Sequence, residues 1–573
     1  MYKFYIALIF FCSICSGTFA QEKLEFIQSH MIMKDFETAL HWCKEGLKED
    51  GENLQLKKMH VKILANMHLD FEALQCWKSY FLNQETMDYD LIETLGWSVL
   101  NACSKKNNPQ LHATLLSGAF AADDVRAVKM LAEHLDSPNS FIRVMALQLS
   151  SRYRDEMIIE KIQEMVTREK VWFVRLEAIK ALGMLQAGGS RLFLRKIITN
   201  DRALDEEKQA AAIAVVGSYG LISKHELASF LCSKRAGLRA LGCNIIGFLD
   251  KQDSGAELYS LLKDPSPQVR LAALSNLYLI GICSLSSENA QQLATICDDG
   301  NPYVSVLASW VFAPYFMAKS VSKLRSWMQS SRKDVKCMAA YFLAKIGKKA
   351  QKEIVLTLKN SMDPFVRLNM ALGMLGSEVD NALALEEIAF FLKNNQKKIM
   401  HFTPSFSLCS LVLPSKVRHT PQVPRYPNMV DNMARLDLLK ILASLQYAGA
   451  TESIREFLKN HQLGVSFTAA NLLIGMEGQK ALEIIKKFLD DEDVDLRLQA
   501  AIVLCANGDS DKALPVLEKL FYQVDRNRQI GILQAIASVG CKKSISFLLT
   551  LLDEPYAIIR LLASAAMIQC AYH

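Results

Sequence analysis

A short pattern returns at near-constant spacing along most of this chain. It consists of an acidic or proline-containing turn, a Val/Ile/Leu–Arg pair and an alanine-rich segment with an apolar stripe. The clearest copies are DSPNSFIRVMALQL (136–149), VWFVRLEAIKALGML (171–185), DPSPQVRLAALSNL (264–277), RKDVKCMAAYFLAKIG (332–347), DPFVRLNMALGMLG (363–376), DEDVDLRLQAAIVL (491–504) and DEPYAIIRLLASAA (553–566). The arginine position falls at 143, 175, 209, 239, 270, 305, 336, 367, 435, 466, 497, 528 and 560, with Gln209, Ser305, Lys336 and Ser466 standing in for Arg. A weaker copy lies near Leu111. Steps are 30 to 35 residues, apart from 68 residues between 367 and 435. About 30 residues make one helix pair, and one pair cannot bury its apolar face alone. Such a chain must stack copies against each other. Small residues (Ala178, Ala181 and Gly183; Ala272 and Ala273; Ala500 and Ala501) let the helices approach closely, and the turn Asp or Pro starts each helix by capping it or fixing φ.

Composition agrees with a stacked helical array. The 573 residues exceed what one compact core holds. Half are hydrophobic and 22% are charged, which excludes disorder over most of the length. Only 26 Gly and 14 Pro occur, which favours helix over strand, and no strands are evident. The 66 basic residues are interspersed with 60 acidic ones, for a net charge of +6. That balance points away from nucleic acid.

The first 20 residues have the pattern of a cleavable secretory signal. Lys3 supplies the positive end, Phe4 to Cys15 the apolar stretch, and Ser16 to Ala20 the small residues of a cleavage site, followed by polar Gln21, Glu22 and Lys23. Cys12 and Cys15 follow Phe and Ile, not the small residues of a lipoprotein box. No other stretch reaches the roughly 18 uncharged apolar residues of a membrane helix. The expectation is export to a bacterial periplasm or envelope, or secretion, with no integral span after cleavage. Of the 14 cysteines, 12 remain beyond residue 20; none forms a CxxC pair, and most occupy apolar helical positions. Buried free thiols are expected, acting as small hydrophobes.

A second register occupies about residues 22–84. DFETAL (35–40) returns as DFEAL (70–74), with Ala39 and Ala73 34 residues apart and Trp42, Trp77 and Tyr80 at helical spacing downstream. These segments resemble two divergent tetratricopeptide repeats, with Gly51 where that family usually has Pro. From about residue 105 onward the chain resembles a HEAT-repeat array, of the short-period kind seen in phycobilisome-lyase-like proteins. The implied fold is all-α, a right-handed α–α superhelical solenoid of stacked helix pairs. The implied divisions are a signal peptide (1–20), tetratricopeptide-like helices (21–104), a HEAT array (105–394), a Pro-rich basic insertion (395–430) and a second HEAT array (431–573). The resemblance further implies an Asp/Arg ladder, in which each Arg reaches a turn carboxylate or carbonyl of the adjacent repeat. Asp264 with Arg270, and Asp491 with Arg497, have the matching spacing of six.

The insertion breaks the period. Pro404, Pro414, Pro421, Pro424 and Pro427 fall there beside Lys393, Lys397, Lys398, Lys416, Arg418 and Arg425, and no acid occurs from Ile388 to Val430. Phe402, Phe406 and Tyr426 are interleaved with these charges. A long loop inside a regular array is usually functional or disordered. It reads as an arm, projecting or folded across the concave face, with a neutral linker and a lid as alternatives. The candidate partner-binding residues are Lys397, Lys398, Phe402, Phe406, Arg418, Arg425 and Tyr426.

The usual catalytic constellations are missing. Gly347-Lys348-Lys349 lacks the upstream Gly of a phosphate loop; Gly217-Ser218-Tyr219-Gly220 reads as a helix exit, not a nucleophile elbow; His225-Glu226 has no second His at 229. Glu386-Glu387 and Asp490-Asp491 read as solvated helix ends. No catalytic, cofactor-binding or metal-binding residue is assigned, and no cofactor is expected. The expected function is a non-enzymatic scaffold or adaptor binding protein partners, since solenoids offer extended surfaces. The alternative is a lyase-like factor acting on a chromophore or protein, which rests on fold analogy alone. Tyr556 to Cys570 is almost wholly apolar, whereas a terminal repeat needs a polar outer face. That end is therefore expected to dock on a partner or a second copy.

Overall fold

The computed structural model describes residues 23–82, 87–104, 108–122, 124–200, 202–281, 293–394, 399–402, 418–419, 427–460 and 463–572. Residues 1–20, expected to be a secretory signal, lie outside them, as do Lys397, Lys398, Phe406, Arg425 and Tyr426. The chain is all-α and divides into two units, Ile162–Glu483 and a second formed by Met1–Lys161 with Ile484–His573.

Every expected arginine position falls inside a helix. In the 162–483 unit these motif helices stack directly on one another. Trp172–Leu185 packs on Asp205–Tyr219, and Ala236–Phe248 on Pro267–Ile280; Pro302–Val311, Lys333–Lys345 and Pro364–Met374 continue the series. The intervening helices, such as Gly188–Thr199, Lys224–Leu231 and Met317–Met328, form a second layer against them. Helix starts follow the sequence signals. Asn301 accepts from the Tyr303 and Val304 N–H groups, Asp363 from those of Phe365 and Val366, and Pro267, Pro302 and Pro364 open their helices. Small residues set the helix spacing: a Cβ on Gly373 would stand 2.2 Å from the Tyr341 carbonyl oxygen, and one on Gly183 2.5 Å from the Ala214 Cβ. Gly220 ends its helix at φ +64, as expected of a helix exit.

The arginines do two things at once. Nη1 donates to the carbonyl six residues earlier: Arg239 to Ser233 (2.8 Å), Arg270 to Asp264 (2.8 Å), and, in the other unit, Arg143 to Ser137 (2.8 Å) and Arg497 to Asp491 (2.7 Å). This ties the turn to its own helix. The other edge of the guanidinium reaches the next repeat, from Arg239 to Asp264 (2.6 Å) and from Arg270 to Asp299 (2.8 Å). The spacing of six is therefore a bond to the Asp264 backbone, and the Asp264 carboxylate serves the preceding repeat. Burial alone would raise the Asp264 pKa. Hydrogen bonds from Arg239 and the Ser266 N–H outweigh it and hold the carboxyl below its usual value. Glu387, expected to be solvated, is instead the partner of Arg367; its side chain is largely covered.

In the second unit, the N-terminal helices Phe36–Glu49, Leu54–Asn66 and Asp70–Phe81 pack in sequence. Ala39 and Ala73 are fully buried, and a Cβ on Gly46 would lie 3.0 Å from Leu56 Cδ1. The C-terminal helix, Ala557–Tyr572, stacks on Arg526–Val539 through one side. Through the other it packs against Tyr89–Ser104 and Pro109–Ala122. One core joins Trp97, Leu100, Leu115 and Ala119 to Leu561 and Ile568. Gly96 and Gly118 open the space: a Cβ on Gly96 would meet Ile568 Cγ1 at 2.7 Å and the Ser564 carbonyl oxygen at 3.1 Å, and one on Gly118 would meet the Ala565 Cβ at 3.2 Å. Polar contacts rim this core. Lys78 pairs with Asp553, Arg126 with Glu93, and the Gln569 amide donates to the Ala121 carbonyl. The Tyr572 hydroxyl lies 2.7 Å from Glu93 and 2.6 Å from Asp124. The apolar end expected to dock on a partner or a second copy is covered by the chain's own residues. The ground for self-association through that face is gone, because the missing polar cap is replaced by helices from the other end of the chain.

Most of the ten described cysteines are buried, and none of the described residues forms a disulfide. Burial pushes the thiols of Cys43, Cys243, Cys337, Cys505 and Cys570 up to about 12, which removes their nucleophilic form at neutral pH.

Candidate functional site: a strap across the motif helices

Within the 162–483 unit, four residues of the insertion leave the helical pattern and lie on the motif helices. Ile399, Met400, His401 and Phe402 are all buried. Met400–His401 pairs antiparallel with Arg418–His419, in the register Met400↔His419 and His401↔Arg418. This two-residue ladder is the one strand pair among the described residues, and the sequence reading contains no strand.

Three motif helices hold this strap. The Ile399 N–H points at Asp431 Oδ1 (3.4 Å) in Pro427–Ser444. Asn369 in Pro364–Met374 holds the backbone from both directions. Its Nδ2 donates to the Met400 carbonyl (3.1 Å), and its Oδ1 accepts from the Phe402 N–H (2.6 Å). The same Nδ2 donates to the Phe365 carbonyl (2.7 Å), which fixes the amide's orientation. An unpaired amide there would cost about 1–3 kcal/mol, so Asn369 and the strap need each other. The Phe402 ring then enters a cleft on Lys333–Lys345, 5.2 Å from the Tyr341 ring and 5.3 Å from that of Phe342. Ring contacts continue to Trp310 (4.6 Å from Phe342) and Tyr278 (4.3 Å from Trp310). Burial, with a smaller contribution from Tyr278, raises the Tyr341 pKa, keeping its hydroxyl protonated. The arrangement binds polypeptide backbone and an aromatic side chain.

Of the expected partner-binding residues, Phe402 is in the site, but buried as an anchor, not displayed on an arm. Arg418 lies on the partner strand. Lys397, Lys398, Phe406, Arg425 and Tyr426 fall outside the described residues. Asn369, Tyr341 and Phe342 were not anticipated. The available signal for Asn369 was an amide in the alanine-rich stripe RLNMALG (367–373). Elsewhere in this unit an open cleft of about 710 Å³ lies between Lys224–Leu231 and Gly255–Leu261, with Lys224, Lys251, Asp250, Asp253 and Glu257 on its walls. Its charges are of mixed sign. Among the described residues, no group of three or more His, Cys, Asp or Glu is placed to hold a metal, and no helix is long and apolar enough to cross a membrane.

No family model matches this chain, and no curated protein matches it. Solved structures do. The karyopherin Kap121p bound to the extreme C-terminus of the protein phosphatase Cdc14p is 12% identical, over 92% of this chain and 71% of that one, with a TM-score of 0.42. YibA of E. coli is 15% identical over 52% of this chain and all of its own, with a TM-score of 0.34. The condensin Cnd3–Cnd2 subcomplex of S. pombe is 15% identical over 84% of this chain and 75% of that one, with a TM-score of 0.25. These are helical-repeat proteins of the HEAT type, and at this identity the likeness concerns architecture alone.

Proposed function

We propose that this chain is a non-enzymatic scaffold that binds protein partners along the motif-helix face of its 162–483 unit. One observation carries the reading. That face already holds an extended polypeptide, Ile399–Phe402, through a side-chain clamp on its backbone and an aromatic cleft. Backbone contacts give affinity without regard to sequence, and a side-chain cleft adds selectivity. The reading includes membership of the short-period HEAT type, tetratricopeptide-like packing at the N-terminal end, and export with removal of residues 1–20. Buried Ala39, Ala73 and Gly46 support the second of these.

Affinity capture with crosslinking tests the proposal on the chain from residue 21 onward and on the same chain with Trp310 and Tyr278 both changed to Ala. A partner held by the first and lost by the second, with helicity unchanged, is the expected result. Equal capture by both moves recognition to another face. Absence of any partner, together with turnover of a chromophore or protein substrate, replaces the scaffold by the lyase-like alternative.

A further inference from the structure

The strap is seated as a ligand would be. It runs from Asp431 to Asn369 to the Tyr341–Phe342 cleft, crossing successive motif helices in reverse chain order. An extended chain advances about 3.3 Å per residue, and neighbouring helices stand about 8–10 Å apart. A peptide on this face thus passes one helix every three residues or so; the strap reaches three helices within four residues because the Asp431 carboxylate and the Phe402 ring extend its two ends. In the same direction the ring row continues past Phe402 through Phe342 and Trp310 to Tyr278. Phe342 and Trp310 are themselves buried, and the row opens to solvent at Tyr278 and its neighbour Leu279, about half of each being exposed. Asn369 reads only backbone, and any residue pair with the same extended geometry satisfies it.

We propose that Asn369 and the row Phe342–Trp310–Tyr278 form a track for an extended peptide of a partner protein. The peptide carries an aromatic side chain in the place of Phe402, and Ile399–Phe402 is a built-in competitor that it displaces. The inference rests on the scaffold reading and adds the chemistry of the partner: an extended segment with an aromatic anchor and apolar residues following at roughly three-residue intervals.

A fluorescein-labelled peptide of residues 397–404 (KKIMHFTP) tests this by fluorescence anisotropy on the full chain. Phe402→Ala vacates the cleft and is expected to bind the peptide at least about tenfold more tightly than the unaltered chain, the size of one lost competing anchor. Adding Asn369→Ala should abolish the gain, and a peptide with Ala in place of its Phe should not bind. Phe402→Leu retains more of the packing and should fall between. On the unaltered chain, excess peptide should speed hydrogen exchange of the Phe402 amide, which no variant is needed to measure. Equal peptide affinity for the folded Phe402→Ala and unaltered chains overturns the proposal, as does an unchanged Phe402 amide under saturating peptide. Partner capture that persists while peptide binding fails removes this inference and leaves the scaffold. Peptide binding without partner capture does the reverse.

Discussion

The C-terminal helix and the Ile399–Phe402 strap both place apolar residues where the repeat pattern gives them no successor, and they are covered differently. Ala557–Tyr572 keeps the helical period and is met by two more helices, Tyr89–Ser104 and Pro109–Ala122, with Gly96 and Gly118 allowing close approach. The contact is broad, and its core residues are wholly enclosed. The strap abandons the period and is held by one amide, one carboxylate, one ring cleft and a two-residue ladder to Arg418–His419. Helix-on-helix packing spreads its energy over many side chains, whereas the strap concentrates it on Asn369 and Phe402. The first arrangement suits permanence, and the second can be exchanged.

The sharpest way to break this contrast is to cut each contact at its centre. Leu561→Ala empties a fully enclosed site in the unit that contains both chain ends, and should cost about 2–5 kcal/mol in denaturant melts. Phe402→Ala should cost less than the usual ~3–5 kcal/mol of a buried Phe, because a short strap can detach without leaving a cavity. Equal losses would show that the strap is as fixed as the helix. Next comes Gly96→Val, whose branched side chain has no room beside Ile568 and the Ser564 carbonyl. A loss of about 1–3 kcal/mol is expected, with faster proteolysis of residues 557–572. An unaltered digest would show that this helix is held elsewhere. Asn369→Ala should cost about 1–3 kcal/mol and raise amide exchange at Phe402 while leaving the helices protected.

The smallest effect is set by pH. His134 Nδ1 donates to the Met130 carbonyl (2.7 Å), and its Nε2 faces His112 Nδ1 at 2.8 Å. Burial chiefly, with repulsion from His112, lowers the His134 pKa from 6.5; burial chiefly, then Lys44, lowers that of His60. Below pH 6.5 the unfolded chain binds more protons at both sites than the folded one, so stability falls as pH drops. The unit containing both chain ends should therefore lose stability from about pH 6.5 downward, and His134→Gln should flatten part of that slope. An identical slope in the variant would assign the acid sensitivity to other groups.

Much of the architecture was legible because it repeats. Thirteen copies of one pattern placed the motif helices, the turn Asp and Pro residues and the arginines, each at the expected position. The second function of Asp264 was not legible, since spacing along the chain cannot say which repeat a carboxylate faces. Nor was the cover over Ile558 and Leu561, which comes from residues more than 400 positions away and carries no local signature. The insertion was recognised by its prolines and charges, and Phe402 was picked out among them. Its burial depends on Asn369, Tyr341 and Phe342, each of which reads locally as an ordinary residue of a motif helix.

The meeting of Leu115 and Trp97 with Leu561 has a consequence for biosynthesis. A ribosome extends a chain by about 5–20 residues per second, so Trp97 and Leu115 emerge tens of seconds before Leu561 exists. Through that interval the apolar flank of Tyr89–Ser104 and Pro109–Ala122 has no cover and is a substrate for chaperones. A product that lacks residues 557–572 keeps this flank uncovered.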